Sequence, residues 1–154
     1  MADKITYASE CFNSGLNCAQ SVFTSYCDES GLSKEQATKL ACAFGAGISH
    51  LGEVCGAVSG ALMVLGSIYG PSDKNEVHKK ALTNSLANEF AKRFKIINGT
   101  INCSELLNYD LSNDAQVAAA KQADIFRQKC PKFIKDAVTI LEEIIAEQNE
   151  KMTG

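Results

Sequence analysis

Four of the seven cysteines stand where a helix is expected to begin. They are Cys18 after Asn17, Cys55 in Glu53-Val54-Cys55-Gly56, Cys103 after Asn102, and Cys130 before Pro131. A helix start presents unpaired N–H groups and a partial positive charge. That setting favours thiolate over thiol, and thiolate is the form that attacks disulfides and binds metals. Four such positions in one small chain point to a single sulfur site assembled from four parts of the sequence. The other three read differently. Cys11 and Cys27 fall near helix C-terminal ends, where the dipole disfavours a thiolate. Cys42, between Leu40 and Phe44, reads as core packing.

No Cys-x-x-Cys pair occurs, so the local signature of a thioredoxin-like site or a zinc ribbon is missing. On spacing alone, four separate buried thiols are as good a reading as one shared site. A shared site requires helix starts to meet through tertiary folding. Three chemistries then stand open. Four thiolates hold a [2Fe–2S] or [4Fe–4S] iron–sulfur cluster, whose negative charge helix N-termini would offset. They also hold a tetrahedral structural zinc, ranked lower because zinc sites usually show short-range ligand pairs. Two of them without any metal exchange disulfides, one attacking and one resolving. Cys55 is the first candidate nucleophile, because Gly56 lets a partner approach its backbone.

Gly56 and Gly60 are one helical turn apart and favour close helix packing, while Gly52 and Gly56 shape the chain around Cys55. His50, one short loop before Cys55, is a candidate proton donor or hydrogen-bond donor to a cluster sulfur; the plainer reading is a loop histidine in solvent. His78, beside Lys79 and Lys80, reads as surface. Gly45-Ala46-Gly47 follows no strand and fails the dinucleotide fingerprint.

The elements that must position these residues are helical throughout. The pattern predicts an all-α, single-domain bundle over 1–154, in which a nearly apolar central helix at about 54–69 is wrapped by amphipathic ones. A short helix runs from Lys4 to Phe12. Asn17 caps a second through Tyr26, closed by Gly31. Ser33 and Gln36 form a capping box for a third through Leu40 and Phe44. Val77, Ala81, Leu86, Phe90 and Phe94 mark one face of a long helix ended by Asn98-Gly99. Cys103–Asn108 is a short helix, and another starts at Asn113-Asp114 and ends near Lys129. Pro131 fits the first turn of the last helix, whose buried stripe is Phe133, Ala137, Val138, Leu141, Ile144 and Ile145. The tail from about 148 is expected to fray.

Bulk properties exclude several classes. The 154 residues are 45% hydrophobic and 21% charged, an ordinary globular balance. A net charge of −3 with no basic block gives no case for nucleic acid or an anionic membrane. The uncharged stretch from Val54 to Ser72 has too short an apolar run for membrane insertion. The first residues lack a signal-peptide core, so a reducing cytoplasm, where structural disulfides are uncommon, is expected. No serine–histidine–acid set and no phosphate loop argues for hydrolysis. A homodimer packed through the glycine face is a further expectation.

Asn17-Cys18-Ala19-Gln20-Ser21-Val22, Gly52-Glu53-Val54-Cys55-Gly56-Ala57-Val58-Ser59-Gly60-Ala61-Leu62-Met63, Cys103-Ser104-Glu105-Leu106-Leu107 and Cys130 resemble the C_GCAxxG_C_C family of redox-active proteins. The resemblance spans about Ala8 to Ile145, and its most specific part is Cys-Gly-Ala-x-x-Gly. It implies that Cys18, Cys55, Cys103 and Cys130 are the characteristic cysteines, the same four that the helix argument selects. A related domain in split-Soret cytochromes carries an iron–sulfur cluster beside haem; this chain has no Cys-x-x-Cys-His and resembles only the non-haem part. What the resemblance implies is a sulfur-based redox or metal site working with an unidentified redox partner protein.

Overall fold

Side-chain caps set the first helix starts. In the computed structural model, which describes residues 3–154, Asp3 caps α1 (Lys4–Asn13). Met1 and Ala2, which open the segment read as lacking a signal core, lie outside the described residues. Asn17 and Ser33 each close a capping box, over α2 (Cys18–Thr24) and α4 (Lys34–Ala41). Asn17 Oδ1 accepts from the Gln20 N–H at 2.9 Å, and Gln20 Oε1 accepts from the Asn17 N–H at 2.9 Å. Asn17 Nδ2 also donates to the Cys42 carbonyl at 2.9 Å, so one side chain ties the start of α2 to the turn after α4. Asn17→Ala removes both roles and is expected to cost about 1–2 kcal/mol. The check is a lower urea midpoint at unchanged slope.

The second expected helix is two pieces, α2 and α3 (Cys27–Ser30). The Ser21, Thr24 and Ser25 hydroxyls donate back to carbonyls four residues earlier. Such back-bonding competes with the helical ladder and bends it. Cys27 therefore opens α3 instead of lying near a helix end. Cys11 lies in the last turn of α1, as expected.

α4 stops at Ala41 and passes into a 3-10 turn, Cys42–Phe44, short of the expected reach through Phe44. Its buried stripe consists of Ala37 and Ala41 alone. Cys42 falls one residue off that stripe, so it is exposed and not a core residue. Leu40 and Phe44 likewise face out, at 58% and 37% exposure.

α5 (Gly56–Tyr69) packs against α2, α9 and α6 (Val77–Asn98). Leu86, Phe90 and Phe94 bury one face of α6, while Val77 and Ala81, expected on that face, are exposed because the first turns of α6 run past the core. Arg93 on α6 reaches Glu143 and Glu147 across the groove, at 3.6 and 2.8 Å. After α7 (Cys103–Leu107) and α8 (Asp114–Gln122), α9 runs from Ile125 to Thr153.

The end of α8 differs from the expectation of a helix to Lys129. Asp124 turns left-handed at φ 53 and breaks the chain early. Burial of Ile125 together with Cys130, Phe133 and Ile134 then starts α9 before Pro131. The proline removes only the bond to the Arg127 carbonyl, and exposed Arg127 leaves that carbonyl to water. At the other end α9 stays helical through the segment expected to fray, with Gln148 buried.

Among the described residues there are nine α-helices and no strand, and no helix is long and apolar enough to cross a membrane. One isolated antiparallel bridge joins Val54 to Asn102.

Candidate four-cysteine site

That single bridge brings two cysteines together. The Cys55 N–H donates to the Ile101 carbonyl at 2.8 Å, and the Cys103 N–H donates to the Glu53 carbonyl at 2.6 Å. Cys55 then serves as the N-cap of α5, and Cys103 is the first residue of α7 under an Asn102 cap. Cys18 arrives as the first residue of α2. The α2–α5 contact that carries it is close because Gly60 has no side chain: a Cβ there would lie 2.7 Å from the Ala19 carbonyl oxygen. A Cβ on Gly56 would lie 3.1 Å from both the Ala19 nitrogen and the Cys18 Cβ. Cys130 comes from the second turn of α9. It is not at a helix start, which corrects the expectation for that residue.

All four cysteines line one small cavity of about 10 Å³, near the lower limit for a single water. The rest of its wall is Ala46, Gly56, Leu106, Leu107, Phe126 and Phe133. No charged side chain contributes. All four cysteines are buried, at 4–8% exposure.

Burial outweighs the helix-start effect on which thiolates were expected. It pushes the Cys55 thiol up to about 11, although the backbone N–H groups of Val58 and Ala57 at the start of α5 oppose the rise. It pushes Cys103 up to about 12, with the neighbouring charges of Cys55 and Cys130 adding to the effect. The neighbouring Cys130 sulfur, together with burial, holds Cys18 well above the ordinary thiol range, and the neighbouring Cys18 thiol draws Cys130 below it.

Gly47 and Gly52 close the loop side. Both have positive φ, at 67 and 73. A Cβ on Gly47 would lie 2.7 Å from the Cys103 Cβ, and one on Gly52 would strike the Ser104 hydroxyl. Between and around them, Ala46, Ile48, Ser49 and His50 also have positive φ. Each such residue costs roughly 1–2 kcal/mol, and for β-branched Ile48 the conformation is a true outlier. His50 is exposed and does not line the cavity. Cys11, Cys27 and Cys42 also lie away from it. The apolar wall was only partly foreseen: Phe133 belonged to the expected α9 stripe, whereas Ala46 and Phe126 carried no local mark.

Four thiols match an iron–sulfur cluster in ligand type. Among the described residues, no group of three or more His, Cys, Asp or Glu side chains is arranged to hold a metal ion. The closed cavity is likewise smaller than any cluster, so loading one requires the wall to move.

A family model described as "Putative redox-active protein (C_GCAxxG_C_C)" matches residues 16–144. No curated protein and no solved structure matches the chain.

Proposed function

The chain belongs to the C_GCAxxG_C_C family, and we propose that it is an electron-transfer protein whose working groups are Cys18, Cys55, Cys103 and Cys130. The supporting observation is that four thiols from four distant segments face one cavity otherwise lined by small and apolar side chains. In this reading the four thiolates ligate an iron–sulfur cluster, which supplies one-electron chemistry when bound. A cation also relieves the mutual repulsion and desolvation that keep Cys55 and Cys103 protonated. The N–H groups of Ala57 and Val58, at the start of α5, favour the charged form of Cys55. Gly56 and Gly60 bring Cys18 to Cys55. The site operates in a reducing cytoplasm and exchanges electrons with a protein partner.

The Cys18–Cys130 contact favours a second reading, a cluster-free thiol–disulfide protein. Oxidation would then join those two sulfurs, releasing two protons and passing two electrons to an incoming disulfide. A zinc-held interaction domain has no such contact in its favour.

Anaerobic purification followed by visible absorption and assays of iron, acid-labile sulfide and zinc separates the readings. The cluster reading expects a coloured protein with iron and sulfide. A colourless, metal-free protein that loses two thiols on mild oxidation would establish the disulfide reading instead. Cys55→Ser is expected to abolish the cluster signal, whereas Cys42→Ser leaves it intact, because Cys42 is exposed and remote from the cavity. Equal loss in both variants contradicts the assignment of the site.

A further inference from the structure

We propose that Ala46–His50 is a strained lid over the four-cysteine cavity, and that its opening gives reactants access to the thiols. The inference rests on the cavity being the working site only for its purpose; the lid itself follows from geometry. Five successive residues have φ of 51, 67, 67, 47 and 66, and only one of them is glycine. Few contiguous L-residues tolerate that region, so the segment relaxes on leaving it.

The lid touches the site directly. Ala46 lines the cavity, and Gly47 sits so close to Cys103 that a Cβ would lie 2.7 Å from the cysteine Cβ. The remaining walls come from helices α2, α5, α7 and α9, and their residues Cys18, Leu107, Cys130 and Phe133 belong to the buried core. On the outer side of the lid, Ser49, His50 and Leu51 are exposed. Opening it therefore uncovers thiols without dismantling the bundle.

The bonds that hold it shut are all local, between residues 43 and 53. The Ser49 N–H and hydroxyl donate to the Ala43 carbonyl at 2.8 and 3.0 Å. The His50 N–H reaches the Gly45 carbonyl only at 3.5 Å, the Leu51 N–H donates to Ile48 at 2.9 Å, the Gly52 N–H to Ala46 at 3.3 Å, and the Glu53 N–H to Gly47 at 2.9 Å. Among the described residues, the N–H groups of Ala46, Gly47 and Ile48 have no acceptor. While the lid is closed, the cavity of about 10 Å³ admits nothing larger than water.

The cysteines supply their own controls. Reduced, metal-free protein is alkylated with iodoacetamide and each cysteine is followed by mass spectrometry. Exposed Cys42 should label at once. Cys11, buried on α1 away from the cavity, reports wider unfolding. A working lid predicts that Cys103 labels faster than Cys11, with little dependence on dilute urea. His50→Gly fits φ 66 and should slow Cys103 labelling about fivefold, while His50→Val should speed it by about as much. Ser49→Gly, at φ 47 and also exposed, repeats the slowing should the valine variant fold poorly. Cys103 and Cys11 labelling in step, with one urea dependence, overturns the proposal. So do equal Cys103 rates in the wild type and the two glycine variants. Because the readout is made without metal, a failed cluster assay leaves the lid result standing.

Discussion

Gly60→Val is expected to lower folding stability by about 3 kcal/mol, whereas Gly66→Ala on the same helix should raise it by about 0.5–1 kcal/mol. The two glycines lie in α5 and differ in what they face. A Cβ at position 60 would lie 2.7 Å from the Ala19 carbonyl oxygen and 3.2 Å from the Ala19 Cα, both backbone atoms of α2. Neither can rotate aside, so a branched side chain must push the helices apart. Nothing lies within 4 Å of the corresponding point at Gly66, where alanine only removes backbone freedom from the unfolded chain. Urea unfolding of the three proteins measures both effects. Because α2 carries Cys18, Gly60→Val should also separate Cys18 from Cys55 and speed alkylation of both thiols. Similar stabilities for the two variants would show that the α2–α5 contact yields more easily than its backbone distances imply.

The same contact explains what could be read from the sequence. Gly56 and Gly60 stand one turn apart, and a glycine spacing of that kind reports close helix approach whatever the fold. The caps at Asn17 and Ser33 are equally local, since each needs only a side chain and the N–H three residues on. Cys130 shows where local reasoning stops. A proline marks a helix start when nothing else acts, but here the burial of Ile125 six positions earlier carries the helix through it. Cys42 failed for a related reason. Its neighbours Leu40 and Phe44 look like core residues, yet the α4 stripe that packs inward is made of alanines. The Val54–Asn102 bridge has no alternating pattern to announce it, and it is what places Cys55 beside Cys103. Helix-start cysteines were visible in the sequence; their protonation was not, because the burial that decides it comes from Leu107, Phe133 and the other distant walls.

That burial predicts a steep loss of stability in alkali for the reduced, metal-free protein. In the unfolded chain a cysteine ionises near pH 8.5. In the folded protein Cys55 and Cys103 keep their protons up to about 11 and about 12. Between those limits the unfolded chain has released two protons that the folded protein still holds, so rising pH favours unfolding. The stability these thiols contribute is complete below about pH 8.5 and falls away as pH climbs through their folded values. Each pH unit over which a folded thiol keeps a proton that the unfolded chain has lost costs roughly 1.4 kcal/mol, and the two thiols together account for a loss on the order of 7 kcal/mol by about pH 11. The measurement is the urea midpoint at intervals from pH 7 to pH 11, for the wild type and for a Cys55→Ala, Cys103→Ala double variant. The double variant should lose less over that range, because lysine and tyrosine titration is common to both proteins. Parallel curves would mean that the two thiols ionise in the folded state as freely as in the unfolded chain, and that the apolar wall around them is open to water. A metal bound to the same thiols reverses the slope, since ligation needs them deprotonated. The pH profile of the loaded protein should therefore flatten or rise where that of the free protein falls.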